Sequence, residues 1–452
     1  MTESRTNEGL LAQQACREST ARTYPRSLPL AIEEAQGIDV VDVDGTHYYD
    51  CLAGAGTLAL GHNHPVVVDA MEDLLDRNRA IHTLDITTPV KEHFVDVLFE
   101  ALPDDFSSNA RVQFCSPAGT DAVEAALKLA KTATGNRSVL GFQGGYHGMT
   151  SGALSLMGDT AAKEPIPGLM PDVHHLPYPY EYRCPFGLGG EQTWQTSARY
   201  VERALDDPEG GIVEPAAMIL EAVQGEGGSI PAPTPWLREM RRLTREREIP
   251  LIVDEIQTGL GRTGELFAVE HADVTPDVMT LSKAIGGGLP LSVVVYDDSL
   301  DEWEPGAHAG TFRGNQLAMA AGAATIEYAL DNDVPSHAAK MGERLRSLLA
   351  DTAAQFDAVG DVRGRGLMLG VEIVDQTGEP GPTGTPPADG DRAGAIQSEA
   401  FDRGLIVETG GRDGAVVRFL PPLTITAEAV DAVAEIFHES VRAATTTAEA
   451  AA

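Results

Sequence analysis

Positive charge is scarce in this chain of 452 residues. Lys and Arg number 33 against 68 Asp and Glu, a net charge of −35. A polyanion of this size is repelled by nucleic acid and by anionic membrane surfaces, so neither is expected as a partner. Long apolar runs are missing too, and none approaches the ~18 residues that a membrane span needs. The opening residues, MTESRTNEGLLAQQ, lack the basic and apolar regions of a signal peptide. The few cysteines (Cys16, Cys51, Cys115, Cys184) are scattered and form no close pair, so they suggest neither zinc nor a disulfide framework. A reducing cytoplasm is the expected compartment. No metal site is expected: His62-Asn63-His64 has no third ligand at a sensible spacing and reads as a turn entering a helix. His174-His175 reads as solvated loop. A Gly-Lys-Ser/Thr phosphate loop is absent, and GAGTLA (54–59) does not sit between a strand and a helix as a dinucleotide fingerprint would.

Lysine is the scarcest charged residue, 6 against 27 Arg. A polyacidic, lysine-poor surface suits a protein kept soluble in strong salt. Acidic drift in a high-GC genome gives the same composition. Either way, a lysine within an apolar, Gly-rich stretch is hard to read as surface decoration.

What is present is an alternation of apolar strands and helices. RVQFC (111–115), SVLGF (138–142), AAMILEAV (216–223), PLIVDEI (250–256), VMTLS (278–282) and LSVVVY (291–296) read as buried strands. TDAVEAALKLAKTA (120–133), PWLREMRRLTRERE (235–248) and NQLAMAAGAATIEYAL (315–330) read as helices. Near-continuous apolar strands separated by helices predict an α/β fold with a mostly parallel sheet covered on both faces. After about residue 330 the pattern changes to a long helix (337–356), strand-like pieces within 366–373, 405–408 and 415–419, and a last helix over 427–443, as in a smaller α+β domain. The Gly-, Pro- and Asp-rich stretch 375–394 reads as an exposed loop insertion.

Four motifs could carry chemistry. Asp254 ends the strand in PLIVDEIQTG, where open α/β sheets bind ligands; an ordinary strand-end acid would look the same. Lys283 follows a strand in TLSKAIGGGLP, and a lysine deprived of water there becomes a nucleophilic amine; the plain alternative is a surface lysine. Gly119 and Thr120 sit at a strand-to-helix junction, a phosphate seat or a simple Thr N-cap. Tyr146, in GGYHGM, could stack on a planar cofactor or pack in the core.

Taken together, these residues resemble the class III aminotransferases, fold-type I enzymes dependent on pyridoxal 5'-phosphate. The resemblance covers about residues 20–440 and includes CLAGAGTLALGHNHP, GGYHG, EAVQGEGG, VDEIQTGLGRTG, LSKAIGGGLP, GTFRGNQLA and VVRFLPPLTI. It implies a large domain over 61–330 with a mostly parallel seven-stranded sheet, and a small domain from 1–60 and 331–452. Lys283 then becomes the cofactor-linking lysine and general base, and Asp254 the partner of the pyridine nitrogen. Gly119, Thr120, Tyr146, His147 and Gln257 become further cofactor contacts, and Thr311 reaches the phosphate from the other subunit of a homodimer. Glu226 and Arg418 match a salt bridge that opens when an α-carboxylate must be bound. Several ornithine- and 4-aminobutyrate-type relatives carry an arginine two residues after the residue matching His147; here that position is Met149. The chain looks most like the diaminobutyrate–2-oxoglutarate branch, which exchanges amino groups between L-2,4-diaminobutyrate and 2-oxoglutarate, with Tyr24 as a contact for the far end of the diamino acid. An ornithine or 4-aminobutyrate aminotransferase, a racemase or aminomutase, and a non-catalytic cofactor-binding protein are the competing readings.

Overall fold

The computed structural model describes residues 6–451, with side chains described as far as residue 446. A seven-stranded sheet runs, in spatial order, Ala110–Phe114, Val293–Asp297, Val278–Leu281, Leu251–Asp254, Pro215–Leu220, Ser138–Phe142 and Val173–Leu176. Val293–Asp297 is antiparallel to both neighbours, and the other pairings are parallel. The inner strands Ser138–Phe142, Pro215–Leu220, Leu251–Asp254 and Val278–Leu281 are buried along their whole length, so their sequences are apolar rather than alternating.

Helices close both faces. Gly119–Thr134 turns seven apolar residues inward, from Ala122 to Ala130. Its inward face is mostly alanine, so the helix can lie close to the sheet. Thr234–Glu246 buries Trp236, Leu237, Met240 and Leu243 on one stripe. Trp236 is fully buried, and its Nε1–H donates to Ser197 Oγ at 3.0 Å, which satisfies its one polar group.

Two smaller sheets flank this layer. The antiparallel strands Ile32–Gln36, Asp39–Asp42 and His47–Asp50 are completed by Leu405–Ile406, which pairs parallel with His47–Asp50. The other is antiparallel: Val359–Arg365, Met368–Ile373, Val416–Phe419 and Glu408–Gly410.

Three readings need correction. His174 and His175 are not in a solvated loop: they lie in the edge strand Val173–Leu176, where His175 Nε2 meets the carbonyls of Leu156 and Met157 at 3.2 and 3.1 Å. Their polarity is tolerated because the strand has one free edge. The strand Val359–Arg365 was not expected, because Asp361, Arg363, Arg365 and two glycines hide any apolar pattern. The stretch 375–394 is not wholly an exposed loop. Thr385 is buried, its hydroxyl donates to Tyr182 O at 2.8 Å, and a helix begins at Gly390.

Candidate active site

Asp254 and Lys283 come from adjacent parallel strands. The register pairs Asp254 with Thr280, and Lys283 stands three residues further on, past the same sheet edge. Asp254 is buried and anchored at both oxygens: Oδ2 accepts from His147 Nδ1–H at 2.8 Å, and Oδ1 accepts from Ile256 N–H at 3.1 Å. Burial alone would lower the His147 pKa, but the bond to Asp254 outweighs it and raises the imidazole above its usual value. Lys283 has φ +48°, a left-handed conformation that costs a side-chain-bearing residue roughly 1–3 kcal/mol. Burial lowers its amine pKa, against the opposing pull of Glu226. A strained, buried lysine whose amine is pushed toward the neutral form is suited to act as a nucleophile and proton carrier.

Both residues line a cavity of about 650 Å3, together with Gly119, Thr120, Tyr146, His147, Gln257, Glu226 and Tyr24. The helix Gly119–Thr134 enters it with Ala118 as N-cap, which has no side-chain acceptor for the first-turn amides. The alternative of a simple Thr N-cap does not hold: Thr120 lies inside the helix, two residues past the N-cap, its Oγ1 bonded to Thr150 Oγ1 at 2.6 Å. Asp121 turns back to accept from Ala118 N–H at 3.3 Å. Amides without a protein cap, at the positive end of a helix dipole, fit a phosphate. Tyr146 N–H donates to Glu221 Oε2 at 3.0 Å, and Glu221 Oε1 accepts from Gly225 N–H at 3.0 Å. Glu221 is thus a buried tie between the Tyr146 loop and the Glu226 loop. Burial pushes its pKa up to about 7.

Arg418 is fully buried beneath the cavity with two carboxylates on its Nη1, Glu226 at 2.9 Å and Glu408 at 2.8 Å. Both lie within ion-pair distance but off the N–H directions; the directed bond is Arg418 Nη2–H to Gln257 Oε1 at 2.9 Å. Glu226 keeps 34% of its side chain exposed and Glu408 only 9%, so Glu226 is the partner free to leave. Burial pushes Glu226 up, yet Arg418 outweighs it and holds the carboxyl below its usual range. Burial, reinforced by Glu226, raises Glu408 against the pull of Arg418.

Thr311 is not brought to this cavity. It is exposed, at the start of the turn Thr311–Arg313, with its carbonyl accepting from His82. Tyr24 and Met149 line the mouth, about half exposed. Sequence reasoning missed Glu221 and Glu408. Each follows an apolar strand (AAMILE, LIVE) as Asp254 does in LIVD, and that shared pattern would have flagged them.

Comparisons with known proteins agree with this geometry. A family model described as Aminotransferase class-III matches residues 20–441. A diaminobutyrate–2-oxoglutarate aminotransferase of Rhizobium meliloti is 57% identical over 427 residues, covering 94% of this chain and 91% of its own. One from Haemophilus influenzae is 47% identical over 435 residues, 96% and 95% of the two chains. Among solved structures, ornithine aminotransferase of Toxoplasma gondii superposes with a TM-score of 0.83 at 27% identity, covering 98% and 96% of the chains. An amine transaminase from an uncultivated Pseudomonas species, in its PLP-bound form, gives 0.82 at 28% identity, covering 95% and 97%. A fold-type I sheet with Lys283 and Asp254 on neighbouring strand ends, matched from end to end in this way, makes the chain a member of the class III aminotransferases.

Proposed function

We propose that the protein is a pyridoxal-phosphate-dependent diaminobutyrate–2-oxoglutarate aminotransferase, exchanging the 4-amino group of L-2,4-diaminobutyrate with 2-oxoglutarate to give aspartate 4-semialdehyde and glutamate. Its physiological direction is toward diaminobutyrate. The names of the 57% and 47% identical relatives support this substrate pair. The observation that carries it is a buried Arg418 whose Glu226 partner is half-free to leave.

The cofactor, when bound, would supply a cationic pyridine ring that acts as an electron sink. Asp254, held by His147, would be the carboxylate that pairs with the ring nitrogen. Lys283 Nζ would be the base that takes up and returns the substrate proton. The uncapped amides at Gly119 and Thr120 would hold the phosphate, and Tyr146 would be the aromatic lining the ring site. Arg418 binds the α-carboxylate of glutamate with Glu226 turned away. When the terminal amine of diaminobutyrate reacts, Glu226 returns, because a buried guanidinium left unpaired is costly.

The reading includes a division into a large domain (61–330) and a small one (1–60 with 331–452). It also includes a homodimer in which Thr311 completes the phosphate site of the partner. Thr311 lies among exposed Ile81, Leu84, Ile86 and Phe312, an apolar surface suited to a second copy. Mixing Lys283→Ala with Thr311→Ala subunits should restore activity through heterodimers, whereas a fully active monomer in ultracentrifugation contradicts the shared site. A reducing cytoplasm fits four cysteines that form no disulfide, and a salt-rich one fits the charge of −35. An amino-donor panel with 2-oxoglutarate tests the substrate assignment. Preference for ornithine or 4-aminobutyrate over diaminobutyrate would overturn it.

A further inference from the structure

Arg412 is out of place in a molecule with 68 acidic side chains. It makes no ion pair among the described residues, and its buried Nη1 has no hydrogen-bond partner. Its guanidinium carbon lies 4.7 Å from the Tyr180 ring centroid, a stacking that fixes the planar group without neutralising it. Two further arginines stand beside it. Arg183 and Tyr180 both bond Glu372, and Arg363 contacts Glu372 at 2.7 Å and Asp361 at 3.0 Å. Arg183 Nη2 and Arg363 Nη2 are also buried without partners. Three guanidiniums therefore share two carboxylates, and the surplus positive charge falls on Arg412. Leaving a half-buried cation uncompensated is costly unless an anion arrives.

Arg412 and Arg183 line a chamber of about 810 Å3 that adjoins the active-site cavity. The two spaces have Tyr146, Met157, Asp159 and Glu226 in common walls. The Gly411 N–H donates to Glu226 O at 2.8 Å, so Arg412 is tethered one residue from the loop that carries the movable acid. Asp159 and Asp413 also face the chamber, and neither is ion-paired to Arg412.

We propose that this chamber is the docking site for the carboxylate at the non-reacting end of the substrate, with Arg412 as its anchor. The proposal rests on the substrate pair inferred above. Glutamate and 2-oxoglutarate have two carboxylates, and when Arg418 takes the one beside the reacting carbon the other needs a second cation. Diaminobutyrate reacting at its 4-amine places its only carboxylate at that same far end. A single guanidinium thus serves both half-reactions, while Arg418 serves one. Met149, at the mouth, has no charge to offer.

The test compares two unreactive probes on the holoenzyme, glutarate and its neutral diamide, glutaramide, by calorimetry and by perturbation of the cofactor absorbance. Glutaramide keeps the length and shape of glutarate but offers no carboxylate to either arginine. Arg412→Met should weaken glutarate roughly 10- to 100-fold, as expected for a lost charged hydrogen bond, and weaken glutaramide far less. Arg412→Lys, which keeps the charge and loses the planar fork, should fall between. Cofactor content and thermal midpoint of each variant establish that the site is intact. Equal weakening of both probes means that Arg412 only supports the loop and overturns the proposal, as does unchanged glutarate binding in Arg412→Met. Failure of the substrate assignment reads differently: 2-oxoglutarate or diaminobutyrate is then not turned over by the wild type, whatever the probes show.

Discussion

At the residue scale, the cluster on Arg418 decides how one site handles two substrates. Removing Arg418 should cost the glutamate half-reaction about 2–5 kcal/mol in transition-state stabilisation and spare the diaminobutyrate half-reaction. Glu226→Ala should do the reverse. Stopped-flow half-reactions on each variant measure both, and equal slowing of both halves by both variants would make the pair merely structural. Glu408→Gln should tighten 2-oxoglutarate several-fold, since it removes the carboxylate that stays on Arg418 when Glu226 departs; an unchanged dissociation constant would refute this. Glu221 makes a pH statement. An acid whose folded pKa is raised loses stability as pH climbs from its unfolded value, 4.5, toward about 7. That difference is on the order of 3 kcal/mol at pH 8. The thermal midpoint of Glu221→Gln relative to wild type should therefore rise by a few degrees between pH 5 and pH 8; a flat difference would show that Glu221 does not titrate there. Lys283 and Asp254 could be read from the sequence because each ends an apolar strand. Glu408, after LIV, carries the same strand-end signal and could have been flagged, but Arg412 could not, because its meaning depends on charges from loops far apart in the chain meeting at one place.

At the element scale, loops leaving one sheet edge are packed so tightly that glycine is required between them. Gly148 has φ +114°, and a Cβ there would collide with Thr120, the residue at the uncapped helix start. Gly168 has φ +75° with open space around it. Both alanine variants should lose about 1 kcal/mol of stability from backbone strain. Gly148→Ala alone should also weaken cofactor binding, by roughly tenfold, because the helix start must move. Cofactor titration of the two variants separates these effects, and equal affinities would discount the contact. The strands of the large sheet were visible in the sequence because burial on both faces makes them continuously apolar. Val359–Arg365 was invisible for the opposite reason: its residues are mostly half-exposed, and its place is set by pairing with Met368–Ile373 rather than by its own composition.

At the scale of the whole molecule, net charge competes with surface ion pairs. Exposed pairs such as Arg344–Asp431 or Arg346–Glu343 are each worth about 0–1 kcal/mol and weaken with salt. Repulsion among 35 excess negative charges weakens with salt as well, and by more, since the screening length falls from ~14 Å at 0.05 M to about 3 Å at 1 M. The thermal midpoint should therefore rise from 0.05 to 1 M KCl; a fall would mean that the pairs dominate. The parallel pairing of His47–Asp50 with Leu405–Ile406 has a consequence for synthesis. The N-terminal meander is made first, yet its open edge is closed by a strand translated roughly 350 residues later, about 20–70 s at ordinary elongation speeds. Until then an unpaired strand edge is exposed on the ribosome, a place for chaperone capture or for mispairing with a neighbouring nascent chain. Slower translation of the stretch before residue 405 would lengthen that window, so soluble yield should respond to codon choice there more than to codon choice after it.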